Sequence, residues 1–169
     1  MRASLRTAHP SDSLLDLTLM PASYPALLIE KVIALYPEYL KEPLDRDRTA
    51  GNAAVFALGP DGAIHGHSFG DDQALRQKVY LIGSRKLLQV WRTGYPTGKF
   101  EELVYAGKMD ETKFGLQRPD LIGWQGGIPL FAPDGAMIAA AFSGFRGVTD
   151  VAILQRAAAA VGLRLEPSA

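Results

Sequence analysis

The apolar positions change their period twice along this chain. Between Ser23 and Tyr39, the residues Leu27, Leu28, Val32, Leu35 and Tyr36 recur at helical spacing. Ser23 is an N-cap candidate, Pro25 is tolerated in the first turn, and Pro37 is placed to end or kink the helix. The next segment, KEPLDRDRTAGN, is polar and reads as a loop. From Asn52 the period shortens. AAVFAL and AIHGHSF flank Gly59-Pro60-Asp61-Gly62 and predict two strands joined by a tight turn, because proline presets the turn and glycine accepts a positive φ. IPLF and AMIAAAF flank Ala132-Pro133-Asp134-Gly135 in the same way. Two hairpins imply an antiparallel sheet.

Between the hairpins, Asp71 or Asp72 caps a long helix running to about Arg92, which Gly94 and Pro96 end. Its apolar residues, among them Val79, Leu81, Leu87, Leu88 and Trp91, do not fit one stripe. A helix apolar on more than one face is covered on more than one side, so part of it is a candidate subunit interface. Residues 97–124 read as loop-rich. A last helix spans roughly Asp150 to Val161, is stopped by Gly162, and leaves Leu163 to Leu165 as a candidate edge strand. This order defines an α+β fold with helices against an antiparallel sheet of about five strands. Residues 1–20 form an N-terminal arm whose Leu14, Leu15, Leu17 and Leu19 are expected to dock on this domain or on a neighbouring subunit; residues 21–169 form a single domain.

Composition narrows the function classes. Eighteen basic and eighteen acidic residues cancel, so no global field favours nucleic acid or an anionic membrane. Without cysteine there is no disulfide framework, thiolate metal site or cysteine nucleophile. No apolar core of a secretion signal is visible near the N-terminus, and no run approaches the roughly 20 apolar residues of a membrane helix. The expected setting is cytoplasmic.

The stretch GGIPLFAPDGAMIAAAFSGFRGVTD, Gly126 to Asp150, carries a family pattern. A glycine pair and proline open an apolar strand, an Asp-Gly turn follows, a second strand ends in Ser-Gly, and an Asp heads the next helix. Gly126, Gly127, Pro129, Asp134, Gly135, Ser143, Gly144 and Asp150 supply these positions, with Lys78 on the central helix. The chain resembles the GlcG/HbpS-like heme-binding family, including its heme-degrading-domain relatives. That resemblance implies a profilin-like α/β/α sandwich, an oligomer, and heme or another small planar ligand. In place of the family's glycine-rich approach to Ser-Gly stand Ala139-Ala140-Ala141-Phe142.

Several residues carry candidate chemistry, each with a structural alternative. His65 and His67 alternate along a strand and share a face about 7 Å apart, so they are metal or heme-iron ligands or simply polar residues on a solvent face. Lys78, Arg85 and Arg92, spaced by seven, form a row that binds carboxylates or keeps the helix soluble. Gly126 and Gly127 free backbone N–H groups for an anion or permit close approach. Ser143 lacks a visible base for nucleophilic work, and Gly144 allows a sharp strand exit. Asp150 is favourable charge at a helix start or a general base. The ligand-binding set is thus Lys78, Arg85, Gly126, Gly127, Ser143, Gly144 and Asp150, with His65 and His67 as the metal candidates. The expected function is a small-ligand-binding protein, a homo-oligomer with heme as the implied cofactor. The alternatives are an enzyme acting on a small organic acid and a non-catalytic oligomeric subunit.

Overall fold

The computed structural model of the chain describes residues 23–166. The expectations for the arm over 1–20, with its four leucines, lie outside the described residues.

Helix α1 (Tyr24–Tyr39) starts where expected, although Ser23 makes no side-chain bond at its N-cap position. Pro37 does not stop it, because in the last turn a missing N–H removes a single rung. The polar segment after it contains one helical turn, α2 (Pro43–Arg46). Strands β1 (Ala53–Leu58) and β2 (Ile64–Phe69) form the first hairpin, in register from Ala53–Phe69 to Leu58–Ile64. Helix α3 (Gln73–Thr93) is capped by Asp72, whose carboxylate accepts the Leu75 N–H at 2.9 Å, and it ends at Gly94 in the left-handed region. Strands β3 (Gly127–Phe131) and β4 (Met137–Ser143) form the second hairpin, and α5 (Gly147–Ala160) follows.

Two expectations need correction. The stretch read as loop-rich holds a helix, α4 (Thr97–Tyr105), and a 3-10 turn at Glu111–Phe114. Pro96 and Gly98 disguise the helix, which tertiary burial fixes: Phe100 is fully buried with its ring edge-on to Phe114 at 5.4 Å. The sheet has four strands among the described residues, not about five, in the order β2-β1-β4-β3, all antiparallel. Residues 163–165 contribute a lone bridge in which Phe131 and Arg164 exchange backbone bonds at 2.8 and 2.9 Å. The next outward-facing position of β3 is Pro129, which has no N–H to donate, so the ladder stops after one rung.

Strand alternation sorts the buried side chains onto two faces. Ala54, Phe56, Leu58, Ala139 and Ala141 meet Val79, Leu87 and Val90 of α3. Val55, Ala57, Ile128, Leu130, Ala140 and Phe142 meet α1 and α5. The result is a sheet with helices on both faces, which fits the α+β expectation. Small residues let α3 lie close to the sheet: a Cβ on Gly83 would come within 2.8 Å of the Phe56 ring.

Phe142 is fully buried between the Phe69 and Phe145 rings, at 6.4 and 5.1 Å. Phe142→Ala should therefore cost about 3–5 kcal/mol of stability by cavity formation. A urea titration showing less than 1 kcal/mol would refute this packing account.

Candidate ligand-binding site

The apolar stripe of α3 that faces the sheet runs Val79, Gly83, Leu87, Val90, and Lys86 stands within it, 2% exposed. A charge buried there needs a partner. It finds Asp150, also 2% exposed, in the first turn of α5: Lys86 Nζ lies 2.9 Å from Asp150 Oδ2. Nζ also donates to the Phe142 carbonyl at 3.0 Å, and Asp150 Oδ1 accepts the Phe145 N–H at 2.9 Å. Burial pushes the Asp150 carboxyl up to about 7, against the lowering influence of Lys86, the Phe145 N–H and Arg48.

A second buried carboxylate fixes the start of α5. Asp45 of α2 accepts the Arg146 backbone N–H at 2.8 Å, the Arg146 guanidinium at 2.9 Å through both oxygens, and the Thr149 hydroxyl at 2.9 Å. Burial raises its pKa, but these donors outweigh burial and hold the carboxyl below its ordinary value.

Beside the Lys86–Asp150 pair lies a cavity of about 250 Å³. Leu75, Val79, Ile82 and Phe145 give it apolar walls, and among the described residues Arg48, Lys78 and Lys86 bring three cations against the single acid Asp150. Trp124 stands at its mouth, 62% exposed. The 97–126 segment that carries Trp124 is pinned from below. Gln89, fully buried, exchanges hydrogen bonds with the Ile122 backbone at 2.9 and 2.7 Å, and Thr97 Oγ1 donates to the Trp124 carbonyl at 2.7 Å.

The structure separates the sequence candidates. Lys78, Ser143, Gly144 and Asp150 all line this cavity. Arg85 does not; it pairs with Asp120 at 3.7 Å, while Arg92 donates to the Gly115 carbonyl, so the seven-residue row diverges. Gly126 and Gly127 line a neighbouring cavity of about 420 Å³ with Lys99, Gln125 and Val148. A Cβ on Gly126 would come within 2.7 Å of Lys86 Nζ and 2.8 Å of Asp150 Cβ, and its φ is +115°. Its service is to give the ion pair room. His65 and His67 pair with Ala57 and Val55, which puts them on the α1/α5 side of the sheet, away from the cavity. Among the described residues no histidine lines it. Among the described residues no group of three His, Asp or Glu side chains is placed to hold a metal ion.

Sequence reasoning missed Lys86 and Arg48 as site residues. For Lys86 a signal existed, since its position between Gly83 and Val90 belongs to the buried stripe. Nothing local marked Arg48, which the fold brings in from the connection between α2 and β1.

Neither a protein-family model nor a curated protein sequence matches the chain. Solved structures do match. The chain is similar to PduOC in its complex with heme, at 15% identity and a TM-score of 0.62, covering 86% of this chain and 98% of that one. It is also similar to HbpS, at 17% identity and a TM-score of 0.57, covering 86% and 95%. A double mutant of Streptomyces reticuli HbpS gives 17% and 0.57 over 95% and 99%. The class these define is the HbpS-like helix–sheet–helix fold, and the resemblance in the Gly126–Asp150 pattern is borne out at that level. Among the described residues no helix is long and apolar enough to cross a membrane.

The raised pKa of Asp150 has a consequence for stability. The unfolded group loses its proton near pH 4, the ordinary aspartate value, whereas the folded one keeps it to about pH 7. Between those values the folded chain binds the extra proton, so this group lowers stability as pH rises from about 4 to 7. Asp150→Asn cannot titrate. The difference in unfolding free energy between wild type and Asp150→Asn should therefore shift steadily in the variant's favour across that window and level off outside it. Urea titrations at stepped pH check this, and a pH-independent difference contradicts it.

Proposed function

We propose that the chain is a small-ligand-binding protein whose ligand is a compact organic acid held in the cavity between α3 and the β4–α5 connection. The observation that carries this reading is the lining among the described residues: Arg48, Lys78 and Lys86 against one acid, over apolar walls. Charge-assisted hydrogen bonds from such cations are suited to a carboxylate, and the walls suit a short hydrocarbon or a flat ring. At about 250 Å³ the space lies just below the roughly 300–1,000 Å³ of sites that take drug-sized molecules.

Heme is the ligand in the PduOC complex and the one the family resemblance implies. Its propionates match the cations, but a porphyrin exceeds this volume and the described lining residues offer its iron no imidazole. The compact acid is therefore preferred. Replacing Arg48 and Lys78 by alanine should weaken binding of a small carboxylate such as benzoate at least tenfold by calorimetry. A stoichiometric hemin complex whose Soret band is lost in the same variant would put heme in the cavity and overturn the compact-acid reading.

An enzyme acting on such an acid is a second reading. It draws support from Lys78 and Asp150 lining one cavity, where Asp150 could move a proton. Self-association has support of its own: Leu81, Leu88 and Trp91 lie exposed on the outer side of α3, at 51, 39 and 49%. Size exclusion with light scattering should give a dimer or larger species, and a strict monomer at high concentration would remove the proposal.

A further inference from the structure

Lys86 is almost fully buried, yet its hydrogen bonding is incomplete. A protonated lysine carries three N–H donors. Two are used, on the Phe142 carbonyl at 3.0 Å and on Asp150 Oδ2 at 2.9 Å. The third has no acceptor among the described residues, and Lys86 lines the cavity. Arg48 and Lys78 line the same space, and neither makes a hydrogen bond or ion pair to a described residue. A buried ammonium with a spare donor, flanked by two cations that no described residue pairs with, is a seat for an anion.

We propose that the ligand's carboxylate docks on the third N–H of Lys86, beside Arg48 and Lys78, and that Asp150 takes up one proton from solvent as it does so. The proposal deepens the compact-acid reading and rests on it. Its physical basis is competition for one ammonium. In the free protein Asp150 holds Lys86 alone; with a ligand bound, two carboxylates crowd the same cation, and like charges in a poorly solvated site do not both stay ionised. The Asp150 carboxyl is already pushed up by burial, so it is the group that accepts the proton. The charges facing it are Lys86 and Lys78 on α3 and Arg48 from the α2–β1 connection. On its own helix, Arg146 is committed to Asp45 and does not oppose protonation. The balance is simple: one proton moves from solvent to Asp150, Lys86 remains an ammonium, and no covalent bond changes. Oδ1 can keep the Phe145 N–H throughout.

Benzoate is the probe, since a flat monocarboxylate uses both the cations and the apolar walls. Calorimetry in two buffers of different ionisation enthalpy, at pH steps from 6 to about 9, should show uptake approaching one proton above neutrality. Kd should rise by up to about tenfold per pH unit there and flatten below it. Asp150→Asn should bind benzoate with no proton uptake and a Kd that is level across the range. Lys78→Gln should weaken binding while keeping the coupling. Binding by wild type without proton uptake overturns the coupling and leaves the compact-acid reading standing, as does a folded Asp150→Asn variant that retains the full pH dependence. Should Asp150→Asn fail to fold, the wild-type proton count alone decides. Benzoate that binds at no pH overturns both readings.

Discussion

The ion pair between Lys86 and Asp150 joins helices that lie on opposite faces of the sheet. Leaving either charge alone in that place would cost about 3–5 kcal/mol, so each side chain depends on the other there. Much of the local sequence follows from accommodating them. The pair has to pass round the end of β4, where the Phe142 carbonyl and Phe145 N–H complete its bonding. A side chain at position 126 would fill the same space, its Cβ within 2.6 Å of the Phe142 oxygen, and only glycine fits. Asp45 then fixes the start of α5 from outside, so that Asp150 is presented at the right depth. Salt bridges this deep are weak contributors to net stability, because desolvation offsets attraction. What the pair specifies is position: it sets where α5 meets α3, and the cavity is the space left beside that junction.

Much of the fold was legible because its signals are local. Asp61-Gly62 and Asp134-Gly135 announced both hairpins, and the Asp71-Asp72 pair announced the start of α3, since a cap or turn depends on two or three neighbouring residues. α4 was not legible. Its Pro96 and Gly98 argue for a loop, and its one strong reason to be helical is the burial of Phe100 against Phe114, fourteen residues away. The expected fifth strand failed for the complementary reason. Leu163 to Leu165 has strand-like composition, but Pro129 on the neighbouring edge cannot donate to it, a fact about the partner and not about the segment.

The site divides along the same line. Periodicity showed that His65 and His67 share a face, and that Lys78 and Arg85 share another. It could not show which face the helices cover, because that depends on α1 and α5 packing against the far side of the sheet. The register with Val55 and Ala57 decides it and turns the histidines away from the cavity. Likewise Lys78 reaches the cavity while Arg85, seven residues on, meets Asp120 from a segment of undefined path in the sequence. Lys86 counted in the sequence only as one more cation on a basic helix, although a lysine in a buried stripe implies a buried acid, and Asp150 is the acid that the Gly126–Asp150 pattern already singled out.

The likeness to HbpS and PduOC bears on this differently from the cavity itself. At 15–17% identity a shared fold says how the strands and helices are arranged, and folds host many ligands. The ligand class has to be argued from the lining. Here the described lining residues supply positive charge in excess, apolar walls, and no imidazole for iron. A heme site needs room for a ring and a ligand for its metal, whereas a carboxylate site needs only donors turned to it. Lys86 has one donor without an acceptor among the described residues, and its ammonium is held in place by Asp150 and the Phe142 carbonyl before any ligand arrives. A site prepared in this way loses little freedom on binding, which favours a small molecule with few contacts to give.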